Sequence, residues 1–272
     1  MSAPAWTGGS FGERGRCLLA PNPGMMTLDG TNTWVLREPG ASMSVVVDPG
    51  PVEDGHLDLL DEATGEVGLI LLTHHHFDHS EVAQELARRK SCAVRALDPD
   101  YCFSADPVTD DEPIDVDGLR LRVVATPGHT ADSISLLLPA ERTLLTGDMV
   151  LGRGTTVVAY PDGQLGPYFD SLERMRALVS SGEVETLWPA HGPVLDEAGG
   201  VLDFYAAHRR DRLGQVEDAL AALGATLTPE SAEDDELPRR VVEVVYRDVD
   251  ESLWGAAEWS VRAQLAYLAQ RA

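Results

Sequence analysis

A short apolar run that ends in a dense group of histidines constrains the fold of this chain most strongly. Residues 67–72 read Val-Gly-Leu-Ile-Leu-Leu, a length typical of a buried strand rather than a helix. Thr73-His74-His75-His76-Phe77-Asp78-His79 follows directly. In an extended chain His74 and His76 project to the same side while His75 points away. The predicted strand therefore ends in a concentrated set of side chains that can bind metal.

Further metal-binding side chains follow other predicted strands. Segments 119–124, 143–145 and 186–188 end in turns that contain glycine or proline, and these turns carry His129, Asp148 and His191. Two more strands are predicted at 33–37 and 44–47, and the second leads into Asp48. Neutral imidazoles and carboxylates are the ligands that zinc and similar divalent ions accept. The repeated pairing of a strand end with His or Asp predicts that several sheet edges converge on one site.

The crowding of ligand groups favours two ions over one. His74, His76, Asp78 and His79 lie within six residues and cannot all face a single ion without strain. Two neighbouring ions relieve this strain, and an aspartate can bridge them. A histidine in a turn, such as His191 alone, is usually a solvated residue, and a His-rich tract can simply scavenge metal. Neither alternative explains three further ligand-type residues at distant strand ends.

The order of predicted elements indicates an α/β sandwich followed by a helical segment. Ser80 is predicted to cap a helix that runs through Lys90, and residues 169–179 form another helix. Strands alternate with helices over roughly the first 200 residues. After Gly199-Gly200 the sequence predicts only helices, at 202–223, 238–246 and 251–270. We therefore expect a catalytic domain at 1–200 and a helical domain at 201–272.

Bulk composition excludes several classes of protein. No stretch approaches the roughly 18 apolar residues that a membrane-spanning helix requires, and the N-terminus lacks the pattern of a secretory signal. Three cysteines form neither a disulfide framework nor a metal motif, which fits a reducing compartment. The net charge of −24 discourages non-specific attraction to phosphate backbones. We therefore expect a cytoplasmic protein with no membrane partner.

These motifs resemble those of the metallo-β-lactamase superfamily, in the order His74-x-His76-x-Asp78-His79, His129, Asp148, His191. The resemblance implies an αββα sandwich and two divalent ions, with zinc the first choice and iron or manganese the alternatives. It further implies the following ligand sets: His74, His76 and His129 for one ion, Asp78, His79 and His191 for the other, and Asp148 as the bridge. Asp48 looks like the family's aspartate that orients a ligand histidine.

The aspartate at position 148 is similar to the glyoxalase II and ribonuclease Z branches and unlike the cysteine of many true β-lactamases. Segments 30–34, 147–156 and 189–193 resemble the β-lactamase-like protein 2 group. Members of that group carry a helical, winged-helix-like C-terminal domain that begins near a segment like Ala207-His208-Arg209-Arg210. One departure is that few residues follow the last predicted helix to build a β-hairpin wing.

The function expected from this site is hydrolysis of a small ester, thioester or lactone. Two ions can lower the pKa of a bridging water toward neutrality, polarise the attacked carbonyl and stabilise the leaving group. Asp78 is the candidate catalytic residue because it can also orient the attacking hydroxide. Asn32 and Arg153, in the segments that carry the resemblance, are candidate substrate contacts.

Other functions remain open at this point. The named group suggests an endoribonuclease for single-stranded RNA, which would need a basic groove, with Arg153 and the cluster Arg209, Arg210 and Arg212 as candidates. A true β-lactamase or a non-catalytic binding protein is less favoured. A flavodiiron-like redox protein is disfavoured because such proteins typically place glutamate where this chain has His76. The C-terminal helices could be a packing cap, the surface of a homodimer, or an overhang that limits substrate size.

Overall fold

The computed structural model describes residues 5–271, and within them two β-sheets lie between layers of helix. The strands are β1 (Gly9–Phe11), β2 (Gly15–Leu19), β3 (Asn32–Leu36), β4 (Met43–Val47), β5 (Glu66–Leu71), β6 (Ala93–Arg95), β7 (Pro113–Val116), β8 (Leu119–Ala125), β9 (Ile134–Leu138), β10 (Thr143–Gly147) and β11 (Thr186–Pro189). The α-helices are α1 (His56–Thr64), α2 (Phe77–Ser80), α3 (Ala83–Lys90), α4 (Leu165–Ser180), α5 (Ala198–Leu223), α6 (Leu237–Val245) and α7 (Trp254–Ala269).

The sheet topology brings the predicted strand ends together. The first sheet has the order β1-β2-β3-β4-β5-β6 and the second the order β11-β10-β9-β8-β7. Strands β4, β5 and β6 pair in parallel, as do β10 and β11. Parallel strands end at the same edge of a sheet, so the turns after β4 and β5 lie side by side, and so do those after β10 and β11.

Three apolar layers account for the sandwich. Side chains such as Trp34, Leu71 and Leu136 fill the space between the sheets. The outer face of the first sheet packs against α1 and α3, and that of the second sheet packs against α4 and α5. Strands that are apolar on both faces, such as β9, are therefore buried on both sides. This confirms the predicted αββα sandwich.

The prediction that Ser80 caps a long helix is wrong. Ser80 is the last residue of the short helix α2, and the next helix begins only at Ala83. Its hydroxyl donates to the carbonyl oxygens of His75 and His76, each at 3.0 Å. Serine competes well for such local backbone bonds, and here it braces the turn that carries the histidines.

The C-terminal part is helical, and α5 connects it to the sandwich without a break. In the described residues after Pro189, every regular element is a helix. Helix α5 starts at Ala198, so it already includes Gly199 and Gly200, where the composition suggested a boundary. The division at position 200 stays a prediction. No helix in residues 5–271 is both long and apolar enough to cross a bilayer.

Helix α5 also holds the loop that follows β10. Tyr205 is 2% exposed, and its hydroxyl accepts a hydrogen bond of 2.8 Å from the backbone N–H of Leu151. One turn further along α5, the guanidinium of Arg209 donates to the carbonyl oxygen of Thr156. The loop between Asp148 and Val157 is thus held by two buried contacts from one helix.

We expect Tyr205→Phe to lower the free energy of unfolding by about 1–3 kcal/mol, because it leaves the buried Leu151 N–H without a partner. The measurement is urea denaturation followed by circular dichroism. Tyr267→Phe is the matched control, since that hydroxyl bonds only the exposed Arg271 side chain on its own helical turn. Equal losses in both variants would contradict the role given to Tyr205.

Candidate metal centre

Three histidine nitrogens converge at the end of β5. Nδ1 of His76 lies 2.9 Å from Nε2 of His74 and 3.1 Å from Nε2 of His129. His74 and His76 stand in the turn after β5, and His129 stands in the turn after β8, in the other sheet. The sandwich therefore places a ligand from each sheet in one group, as the sequence predicts.

Contacts on the far side of two rings direct their other nitrogens into this group. Nδ1 of His129 donates to the carbonyl oxygen of Val157 at 2.7 Å. Nδ1 of His74 lies 3.0 Å from the Thr73 hydroxyl, which itself donates to Asp48. Nε2 of His74 and Nε2 of His129 then both carry a lone pair. Nδ1 of His76 has at most one hydrogen, so it cannot donate a full hydrogen bond to each of them. A shared cation resolves this conflict.

The second group consists of Asp78, His79 and His191. Oδ2 of Asp78 lies 3.3 Å from Nε2 of His79 and 3.2 Å from Nε2 of His191. Nδ1 of His191 donates to the carbonyl oxygen of Gly30 at 3.2 Å, and Nδ1 of His79 donates to Asp48 at 3.0 Å. Each Nε2 is thereby turned toward the acidic side chains.

Asp148 lies between the two groups and faces both. Its Oδ2 is 3.7 Å from Nε2 of His129, while its Oδ1 is 3.4 Å from Nε2 of His191 and 3.8 Å from Nε2 of His79. The Asp148 side chain is nearly buried, at the edge where β10 ends. One carboxylate oxygen for each group is the arrangement that a bridging ligand requires.

Several observations fit two divalent cations. Nε2 of His79 and Oδ1 of Asp148 are buried and have no hydrogen-bond partner within residues 5–271. Buried polar atoms in proteins are almost always satisfied. Neighbouring nitrogens around a tetrahedral zinc ion stand about 3.3 Å apart, given bond lengths of 2.0–2.1 Å. The separations in the first group are close to this value.

The electrostatics of the two groups differ. Burial, and then the neighbouring histidines, lower the pKa of His76 to about 4, and the same causes lower the pKa of His74. Burial alone would lower the pKa of His191, but Asp148 and Asp78 outweigh it and raise this pKa to about 9. The first group is thus neutral and ready for a cation, while the second holds protons that a cation would displace.

The contacts of Asp48 fit the positioning role that the resemblance implies. It is buried at the end of β4, where its backbone adopts φ 50°, an uncommon value for a residue other than glycine. Its carboxylate accepts from the N–H and the hydroxyl of Thr73, each at 2.7 Å, and from Nδ1 of His79. Thr73 was not predicted from the sequence, since a threonine after a strand carries no signal of its own.

The structure gives Asn32 a different role from the predicted substrate contact. Its side chain is fully buried. The amide nitrogen donates to the carbonyl oxygens of Pro189 and Gly192, and the amide oxygen accepts from Trp6. Asn32 therefore fixes the turn that carries His191. Arg153 is half exposed and pairs with Asp29, so its contact with a substrate stays a prediction.

His75 points away from both groups, as predicted. Its Nδ1 lies 2.8 Å from Oδ1 of Asp132, and its ring packs against Tyr101. His75, His76 and Asp162 also lie close enough together to hold a cation, but His76 already belongs to the first group. These neighbours of His75 come from loops, so the sequence around the histidines does not reveal them.

The exposed side of the site lies next to Asp78. The Asp78 side chain is 28% exposed, whereas His79 and His191 are almost completely buried. Phe77 stands between the ligands His76 and Asp78 and is 75% exposed. Phe77 is therefore an exposed aromatic residue that is adjacent in sequence to two candidate ligands.

Comparisons with known proteins agree with this geometry. Residues 26–181 match the model of the metallo-beta-lactamase superfamily, and residues 238–271 match that of the beta-lactamase associated winged helix domain. A beta-lactamase-like protein 2 homolog of Drosophila melanogaster is 33% identical over 92% of this chain and 86% of its own length. A lactamase-like protein vrtG of Penicillium aethiopicum is 35% identical over 89% of this chain and 80% of its own.

Solved structures share the fold. A beta-lactamase domain protein from Burkholderia ambifaria superposes with a TM-score of 0.79 at 20% identity, covering 99% of this chain and 90% of that one. A metallo-beta-lactamase family protein from Thermus thermophilus gives 0.73 at 21% identity, covering 94% and 93%. The C-terminal helices are included in both superpositions, since residues 1–197 alone could not supply such coverage.

We expect His76→Ala to lose bound metal and hydrolytic activity, because Nδ1 of His76 joins the other two histidines of the first group. Metal content is measured by atomic emission after gel filtration. His75→Ala is the neighbouring control and should keep its metal, since His75 turns toward Asp132. Full metal content and turnover in His76→Ala would refute the ligand assignment.

Asp48→Asn is expected to weaken metal binding by about 10- to 100-fold, because it disturbs the partner that orients His79. Competition with a chromophoric chelator measures the affinity. Asp117→Asn, a change at an exposed aspartate that accepts bonds only from Ser42 and Met43, should leave the affinity unchanged. An unchanged affinity in Asp48→Asn would show that His79 needs no such partner.

Proposed function

The chain belongs to the metallo-β-lactamase superfamily, and we propose from this membership that it is a binuclear metal-dependent hydrolase acting on small esters, thioesters or lactones. The observation that carries the proposal is Asp148, whose two carboxylate oxygens face the two ligand groups. A site built for a single ion would not need this carboxylate between two separate sets of three ligands.

Two bound divalent ions, zinc in the first instance and iron or manganese as alternatives, would activate a water and polarise the attacked carbonyl. His74, His76 and His129 would hold one ion and Asp78, His79 and His191 the other, and Asp148 faces both groups. Asp78 is the more exposed carboxylate of the site, so it can accept a hydrogen bond from the attacking water and orient it. The reaction breaks an acyl–oxygen or acyl–sulfur bond and yields a carboxylic acid with an alcohol or a thiol.

The surroundings of the site favour a small substrate with an apolar part. Phe77, adjacent in sequence to His76 and Asp78, is an exposed aromatic residue. The exposed Asp162 lies 3.8 Å from His75, next to the largely buried Asp132, which places acidic side chains beside this turn. A polyanion would be repelled there, whereas a neutral ester or lactone would not.

The endoribonuclease alternative receives less support. Of the arginines that could form a basic groove, Arg209 is 4% exposed and donates to Thr156. Arg210 stacks over Phe169, and Arg212 stacks over Tyr246. Arg153 is half exposed but pairs with Asp29, and the exposed Arg210 lies in a groove that also contains Asp170 and Glu217. A true β-lactamase and a non-catalytic binding protein are further alternatives, and the complete ligand set argues against the latter.

A cytoplasmic location is part of the proposal, because Cys17, Cys92 and Cys102 are free thiols. The C-terminal helices could also form the surface of a homodimer. Light scattering, which measures the molar mass in solution, would test this.

The deciding experiment is a parallel assay of the metal-loaded protein on a panel of thioesters, esters and lactones and on single-stranded RNA, with His76→Ala as the blank. We expect turnover of a member of the small-molecule panel, with little dependence on salt. A strong fall in RNA cleavage with rising salt, together with an inactive panel, would favour the endoribonuclease instead.

A further inference from the structure

A cavity of about 260 Å³ lies between the catalytic sandwich and the C-terminal helices. Its walls come from the loop after β10, from α5, from the segment between α6 and α7, and from α7 itself. The polar groups on these walls are Thr155, Thr156, His208, Arg209, Arg212, Tyr246 and Ser260. The cavity is separate from the exposed side of the metal centre, and the proposed hydrolysis does not use it.

The charge of this cavity is opposite to that of the protein. His208, Arg209 and Arg212 line it from one side of α5, and none of the residues lining it is acidic. The groove on the opposite side of α5 contains Arg210 but also Asp170 and Glu217. In a chain with a net charge of −24, a partly open pocket whose lining residues include basic and no acidic side chains is a place where an anion gains favourable electrostatics.

Two buried polar atoms at the cavity have no hydrogen-bond partner among the described residues, Nε of Arg209 and Nδ1 of His208. Arg209 is 4% exposed, so water does not freely satisfy it. Burial, followed by the positive charges of Arg209 and Arg212, lowers the pKa of His208. A bound anion would offset the mutual repulsion of these positively charged groups.

We propose that this cavity binds the carboxylate or phosphate group of a small, partly apolar molecule. The guanidinium of Arg212 stacks over Tyr246 and donates to Gln215, which holds it in place at the wall. Val157, Val249 and Leu253 give the cavity an apolar side that suits a short hydrocarbon portion. The volume of about 260 Å³ lies just below the range of sites for drug-sized ligands, which suits a small molecule.

The cavity lies behind a metal ligand. Thr156 and Val157 line it, and both contact Nδ1 of His129, at 3.2 Å and 2.7 Å. Nε2 of the same ring points the other way, into the first metal group. An anion in the cavity would therefore stabilise the segment that orients His129, and it would be a second ligand of the protein rather than the molecule that is hydrolysed. The anion site therefore does not depend on which bond the metal centre breaks.

The test uses zinc-loaded protein with ¹³C-labelled histidine, and the His208 resonance is assigned by its loss in His208→Gln. The probes are inorganic phosphate, hexanoate and, as the uncharged match, hexanol. We expect a saturable shift of the His208 resonance and a raised pKa of His208 with phosphate or with hexanoate, and none with hexanol. A response to phosphate alone assigns a phosphate ligand, and a response to hexanoate alone assigns a carboxylate.

Arg212→Gln should weaken this binding by about tenfold, the effect of losing one charge-assisted hydrogen bond. Arg210→Gln is the matched control, because Arg210 lies on the same helix and also stacks on an aromatic ring, yet faces the other groove. The absence of a saturable shift at His208 with either anion, or equal affinity in the Arg212→Gln and wild-type proteins, would overturn the proposal.

Anions can also bind at metal ions, and a metal-deficient variant separates the two sites. His76→Ala should keep the His208 response to the anion even though it loses metal. Loss of that response in His76→Ala would overturn the proposal by placing the anion at the metal centre. A failure of the substrate panel to show turnover would contradict the proposed hydrolysis but would not bear on the anion site.

Discussion

The hydrogen bonds of the Asp48 carboxylate hold the rest of the site together. This one buried side chain joins the end of β4 to Thr73 at the end of β5 and to His79 in α2. A buried carboxylate without such donors would cost several kcal/mol, so the arrangement is stable only when all three donors are in place. Through Thr73 it also fixes His74, and it thereby connects the two ligand groups before any ion is present.

The placement of the candidate ligands was largely predictable from the sequence because most of them follow the end of an apolar strand. His74, His129 and His191 belong to turns that follow β5, β8 and β11, and strand ends at one edge of a sandwich must meet. The identity of the ligand groups then followed from the family pattern. The sandwich itself was indicated by the alternation of short apolar strands with helices.

What the sequence did not predict depends on contacts between distant segments. Asn32 looks like a free polar side chain in the sequence, yet Pro189 and Gly192 bury it and use both its amide hydrogens. Ser80 has the composition of a helix cap, but the carbonyl oxygens of the histidine turn are closer partners. Arg209 belongs to a basic cluster that suggested RNA, and only the packing of α5 on the sandwich shows that it is buried. The local sequence does not reveal such contacts between distant segments.

The wide spacing of the ligands along the chain has a consequence for the order of folding. His76 and His129 are 53 residues apart, and the carbonyl oxygen that holds His191 lies 161 residues away in sequence. Closing such long loops costs conformational entropy that local structure does not offset. Neither group of three ligands is therefore expected to assemble before both sheets have formed. A cation would thus find a complete site only after both sheets have met. The bound cation would then connect segments that are distant in sequence. It would lower the rate at which the sandwich unfolds rather than raise the rate at which it folds.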